Sequence, residues 1–121
     1  MKFVCIGYIN ETKWNTFTQK EQSEILGDYS NYNKELKQSK VFVAGFGLQS
    51  VSESCKIILI DDQIQETILE PDVEQIGGLL IIEAENLTEA KTIISKHPGL
   101  RVGAFEIRPI DDDLSELVGA K

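Results

Sequence analysis

Apolar residues occupy both parities of Lys2–Ile9 (KFVCIGYI), with several β-branched or aromatic side chains among them. That pattern predicts a central strand buried on both faces. A polar loop, residues 10–13, follows. Thr18 and Glu21 then stand at the spacing of a capping box, where hydroxyl and carboxylate satisfy free backbone N–H groups of a first helical turn. Ile25, Tyr29, Tyr32 and Leu36 recur at helical intervals and predict one stripe turned toward a core, in a helix ending near Ser39. Residues 41–48 (VFVAGFGL) read as a second strand, in which Gly45 and Gly47 mark a bulge or a close backbone approach. Residues 55–60 and 64–69 flank Asp61-Asp62-Gln63 as a hairpin, and Glu70-Pro71-Asp72 breaks the pattern. Gly77-Gly78 introduce an unbroken apolar run at residues 79–82, a further strand covered on both sides. Asn86 and Glu89 repeat the cap logic ahead of Leu87, Ala90, Ile93 and Ile94. Pro98-Gly99 stops this helix, and residues 101–110 form the last strand.

The order is βα, a run of β, then αβ. It predicts an α+β fold, ferredoxin-like βαββαβ with an extra β-hairpin, with the helices on one face of the sheet. The other face stays uncovered within one chain. If apolar it needs a partner, and a symmetric homodimer is the commonest one. Residues 1–110 make the domain and 111–121 an acidic tail. There Leu114, Leu117 and Val118 also have the spacing of a short helix packed on a neighbour.

Composition narrows the function classes. The 121 residues hold 12 Lys and Arg against 20 Asp and Glu, a net charge of −8. That balance disfavours nucleic acid, whose phosphates need clustered cations. No window approaches the roughly 18 apolar residues of a membrane span, and the N-terminus lacks a basic segment with a cleavage site. A soluble, cytoplasmic protein is expected. Cys5 and Cys55 have no CxxC spacing and lie in apolar runs, which reads as two small core residues. The single histidine, His97, sits before Pro98 and is expected to meet free carbonyls at a helix end rather than to serve a nucleophile. No metal motif and no cofactor loop occurs: Ala44-Gly45-Phe46-Gly47 lacks the Lys-Ser/Thr of a phosphate cradle.

The residues that could carry chemistry are carboxylates and an arginine near strand ends. Period-two alternation puts Val102, Ala104, Glu106 and Arg108 on one face of the last strand. Facing a dimer cavity, Glu106 or Glu74 could accept a proton and Arg108 could clamp an anionic substrate. The alternative is an interface ion pair or a pair of solvated charges. Tyr8 and Trp14 could line or roof a pocket, and Trp14 could equally pack over a sheet edge with Phe17.

The opening KFVCIGY, then Tyr32-Asn33-Lys34-Glu35-Leu36, Val41-Phe42-Val43-Ala44-Gly45, Gly47-Leu48-Gln49, Glu74-Gln75-Ile76-Gly77-Gly78 and Gly103-Ala104-Phe105-Glu106-Ile107-Arg108-Pro109 together resemble the YCII-related proteins of the DGPF type. The resemblance runs from about residue 2 to 110. It implies a dimeric α+β barrel, in a family mostly without an assigned reaction whose relatives on the same barrel include isomerase-like and dehydrochlorinase-like enzymes acting on small acidic molecules. The chain departs from the pattern where Glu66-Thr67-Ile68-Leu69 stands in place of Asp-Gly-Pro-Phe and Val73 in place of a lysine. The His and Asp pair of the shorter enzymes has no counterpart. Two functions follow as expectations: a homodimer that binds a small acidic metabolite, with acid–base catalysis by Glu74 or Glu106, or a non-catalytic dimeric module.

Overall fold

Five strands carry the pattern read from the sequence, and a sixth is shorter than expected. The computed structural model describes all residues, 1–121. Its strands are β1 (Lys2–Ile9), β2 (Phe42–Gly47), β3 (Lys56–Ile60), β4 (Gln63–Thr67), β5 (Gln75–Glu83) and β6 (Phe105–Pro109). Its helices are α1 (Glu11–Trp14), α2 (Gln19–Gln38), α3 (Leu87–Ile94) and α4 (Asp112–Leu117). Four strands form one antiparallel sheet in the order β2-β5-β1-β6, and β3 and β4 pair only with each other. This is the α+β, ferredoxin-like order with an extra hairpin.

Alternation along the central strands decides where the core sits. Phe3 and Cys5 of β1 lie opposite Ile82 and Leu80 of β5, and all four are buried. Tyr32 and Leu36 of α2, with Ala90 and Ile94 of α3, close the same cluster, so both helices cover one face. The Tyr32 hydroxyl donates to the Ile93 carbonyl at 2.6 Å and ties α2 to α3. The opposite parity of β1 and β5, Val4, Ile6, Leu79 and Ile81, is only half-buried on the helix-free face. The expectation of strands buried equally on both sides is therefore corrected.

Local signals explain the helix ends. The Thr18 hydroxyl accepts from Glu21 N–H at 3.1 Å, and the Glu21 carboxylate accepts from Thr18 N–H at 2.8 Å, completing the capping box. The hydrogen bonds from Thr18, the backbone N–H first, hold the Glu21 carboxyl below its usual range against a smaller opposing push from desolvation. Asn86 caps α3 through Glu89 N–H. The segment read as a polar loop at 10–13 instead forms α1, because the Asn10 side-chain Oδ1 accepts from Lys13 N–H at 3.0 Å and caps the turn. This turn fastens two loops: Glu11 accepts from the Ser50 hydroxyl at 2.6 Å and from Val51 N–H at 2.8 Å, and Thr12 N–H donates to the Pro71 carbonyl.

The hairpin turns on Asp61 and Asp62, both at positive φ (50° and 62°), which matches the right-handed twist of its strands. It stands apart from the main sheet, so Ile57, Leu59 and Ile64 are 63%, 64% and 65% exposed. Cys55, at its base, is exposed as well, which corrects its reading as a core residue. Cys5 is buried, and that burial pushes its thiol up to about 11. The last strand begins at Phe105 rather than Arg101, because Pro98–Arg101 form a 3₁₀ turn. Asp111 caps α4, whose Leu114, Leu117 and Val118 remain exposed.

Candidate functional site

One residue type lines a cavity between α2 and the sheet by its absence of a side chain. Gly7 of β1, Gly78 of β5 and Gly47 of β2 pair at one register across three adjacent strands, on the face that carries the helices. Gly77 is the extra residue of a bulge that resets the β1–β5 register between Gly7 and Tyr8. Gly45 and Gly99 complete the set, so six of the chain's nine glycines line a single cavity of about 380 Å³ beneath α2. Gly47 opens on free space, whereas a Cβ on Gly7 would meet the Phe105 ring at 3.1 Å and one on Gly45 the Phe42 ring at 3.3 Å, so rings pack into part of the room that these glycines leave.

The helix supplies the polar wall. Tyr29, Asn33 and Lys37 follow one another at i, i+4 and i+8 along α2 and all line the cavity. None of the three side chains makes a hydrogen bond or an ion pair within the chain. Lys37 instead holds its ammonium 4.9 Å from the centroid of the Phe42 ring, a cation–π contact at one end of the wall. It is the only charged residue among those that line the cavity.

His97 closes the other end. It is buried, 8% exposed, with ring centroids of Tyr29, Tyr32 and Phe105 at 5.1, 4.7 and 4.4 Å. Gly99 N–H donates to its Nδ1 at 2.8 Å, which assigns the ring proton to Nε2. Burial pushes the imidazole down to about 4, so it is neutral near pH 7. This replaces the expected contact with helix-end carbonyls: α3 already stops at Ile94, and His97 acts as an acceptor that caps the following 3₁₀ turn. Desolvation also raises the Tyr29 hydroxyl above the usual phenol range, partly offset by Arg101, which pairs with Asp28 at 2.6 Å.

The residues singled out from the sequence gather elsewhere, apart from Tyr8. Glu106 and Arg108 of β6 lie opposite Ile6 and Val4, on the helix-free face. They approach each other at 3.9 Å, with side chains 46% and 72% exposed. The Tyr8 hydroxyl donates to Glu106 Oε1 at 3.4 Å, and partial desolvation followed by the Glu106 charge raises it above the usual phenol range. Glu74 contributes to the same field on Tyr8, so Tyr8, Glu74, Glu106 and Arg108 form one group. Tyr8 is also the one member that lines the glycine-floored cavity. Trp14 does not join them; it stacks edge-on against Phe17 with centroids 5.6 Å apart. No group of three or more His, Cys, Asp or Glu stands together in a way that could hold a metal ion, and no helix is long and apolar enough to cross a membrane.

Sequence reasoning missed Asn33 and Lys37, and set Tyr29 in the core stripe while allowing that its polar tip, with those of Tyr8 and Tyr32, could line a cavity; Tyr8 and Tyr29 do line one. The signal was a second stripe at 29, 33 and 37, rotated by one step from Ile25, Tyr32 and Leu36, facing strands with glycines at matching parity.

Comparison with known proteins agrees with this architecture. The model of the YCII-related domain matches residues 1–112. Among solved structures, 5-chloro-2-hydroxyhydroquinone dehydrochlorinase from Burkholderia phenoliruptrix AC1100, in complex with 2,5-dihydroxybenzoquinone, superposes with a TM-score of 0.55. It is 15% identical, over 92% of this chain and 94% of that one, and so shares the fold. No curated protein matches the sequence at a significant level.

Proposed function

Because the chain belongs to the YCII-related domain family, we propose that it binds a small acidic metabolite, and that the site is the cavity between α2 and the sheet. The observation that carries this reading is the 380 Å³ cavity whose one charged lining residue is an unpaired lysine, Lys37. The volume is that of a small-molecule site, and an exposed cation without a carboxylate partner at its edge attracts an anion. The fold neighbour holds a small oxygenated ring, which supports a ligand-sized interior in this architecture.

Thermal shifts against a panel of small carboxylates test the reading, since a ligand that binds only the folded chain raises its stability. Lys37→Met removes an exposed charge contact worth up to about 1 kcal/mol, and is expected to weaken carboxylate binding by roughly 2- to 5-fold. Retention of full affinity in that variant would place the anion elsewhere.

The helix-free face takes a second role, as the surface on which two copies meet. Val4, Ile6, Leu79 and Ile81 form its apolar centre, with Glu106 and Arg108 beside it. Such a face is stable in water when a second sheet covers it. Glu74, Glu106 and Tyr8 would work as an acid–base group only once this closure removes water from them. The surface pairing of Glu106 with Arg108 favours the plainer reading, in which these charges serve the fold and the interface of a non-catalytic module. Light scattering at micromolar concentration is expected to report a dimer, and a monomer would remove both roles from this face.

A further inference from the structure

The β3–β4 hairpin poses a problem that the rest of the fold does not solve. Two strands of five residues each are marginal in water by themselves and gain stability when another layer covers one of their faces. Here neither strand joins the four-stranded sheet. The two sides of the hairpin also differ. Leu59 lies directly opposite Ile64, and Ile57 stands on the same side, across from Glu66. The other side mixes Ile58 and Ile60 with Gln63 and Gln65. Ile57, Leu59 and Ile64 are each about two-thirds exposed, so the more apolar side is the one left open.

Where the hairpin springs from narrows what covers it. Gly47, the last residue of β2, pairs with Gly78 near the start of β5, and the chain between these two neighbouring strands contains the hairpin. It therefore leaves from one end of the sheet. At that end Phe46, opposite Leu79, and Ile76, opposite Tyr8, carry the helix-free face outward with exposed apolar surface. Hairpin and helix-free face are thus two uncovered apolar surfaces that share a border. The hairpin tip is Asp61-Asp62 in a chain of net charge −8, which opposes docking on an anionic lipid surface.

Area favours a second copy of this chain. A permanent homodimer buries about 1,000 Å² or more per copy, roughly two-thirds of it apolar. The helix-free face falls short of that by itself, because Val4, Ile6, Leu79 and Ile81 are already half-buried. At about 100 Å² for a large side chain that is two-thirds exposed, these four with Phe46 and Ile76 offer on the order of 400 Å². On the same scale Ile57, Leu59 and Ile64 add about 300 Å², which closes the gap.

We propose that the β3–β4 hairpin is the arm of a homodimer, laying Ile57, Leu59 and Ile64 on the other copy at the border of the helix-free face. The inference rests on that face being where two copies meet. A two-fold axis makes the contact twice, one arm from each copy, and so closes the assembly at two.

Sedimentation equilibrium and hydrogen exchange on the full chain test the arm. The unmodified protein is expected to be a dimer at micromolar concentration, with slow exchange across residues 56–67. Leu59→Gln combined with Ile64→Gln changes two exposed positions. It is expected to weaken the dimer at least about tenfold and to speed exchange across 56–67 by a similar factor, with unchanged circular dichroism. Gln65→Ala, on the opposite side of the hairpin, should leave the dimer constant within about twofold. A dimer constant equally unmoved by the double variant would overturn the arm and leave the sheet-face contact standing. A monomeric unmodified protein would overturn both. Binding of the unmodified protein to vesicles of neutral phosphatidylcholine, lost in the double variant, would assign the apolar side of the hairpin to lipid and overturn the arm as well.

Discussion

Gly103→Ala is expected to be the most damaging methyl group that can be added to this chain. A Cβ at that position would lie 2.0 Å from the Tyr8 carbonyl oxygen and 2.8 Å from the Tyr8 carbonyl carbon, where atoms cannot approach. Neither partner is a flexible side-chain tip that could swing away. The contact sits beside the hydrogen bond from Tyr8 N–H to the Ala104 carbonyl at 2.9 Å, which fixes how β6 joins the edge of β1. Relief therefore requires the start of β6 to move off the sheet, with loss of that bond and of the packing of Phe105 over Gly7. Overpacking of this kind costs about 1–3 kcal/mol where side chains can yield. A clash between backbone atoms belongs at the upper end or beyond, about 3–4 kcal/mol on the same scale. Urea unfolding should show this as a lowered midpoint. Gly27→Ala supplies the contrast: Gly27 lies inside α2 and a Cβ there meets nothing within 4 Å. It is expected to stabilise the protein by about 0.5–1 kcal/mol through helix propensity. Equal behaviour of the two variants would show that the Gly103 contact relaxes without cost.

What the sequence made legible was whatever is decided within a few residues. Thr18 with Glu21 and Asn86 with Glu89 announce helix starts because a cap is a local hydrogen-bond pattern, and both form as expected. The apolar runs of β1 and β5 announce central strands because a sheet interior accepts nothing else. The hairpin is readable from two apolar runs around Asp61-Asp62. Glu106 and Arg108 share a face, as period two requires, and that face is the helix-free one. Two things resisted. His97 was misread because its burial depends on Tyr29 and Tyr32 of α2, far away in sequence, and on Phe105 across the 3₁₀ turn. The cavity was missed because it is defined by glycines on three strands that line up only once the register is set. Gly45 and Gly47 carried a hint of close backbone approach, but nothing local distinguishes a glycine that admits backbone from one that leaves room for a ligand.

Acid should loosen this fold well before its carboxylates are protonated, and His97 is the reason. In the folded chain, burial pushes the imidazole from 6.5 down to about 4, and its ring is enclosed by Tyr29, Tyr32 and Phe105 with no carboxylate paired to it. The unfolded chain takes up a proton on this residue as pH falls below about 6.5, whereas the folded chain resists until about 4. Stability is therefore complete above pH 6.5 and falls between 6.5 and 4. At about 1.4 kcal/mol for each pH unit the limit is on the order of 3 kcal/mol, and water entering through the cavity reduces it to about 2 kcal/mol. Glu21 works in the same direction over a lower range, because its carboxyl titrates below the usual value only in the folded state. The two are separable by comparing urea midpoints at pH 7 and pH 5, where the Glu21 contribution is still almost intact. His97→Gln keeps an acceptor for Gly99 N–H but has no proton to gain. It should remove most of the difference between the two pH values. A difference that persists in that variant would mean that the imidazole is hydrated in the folded state and that the cavity end it closes is open to water.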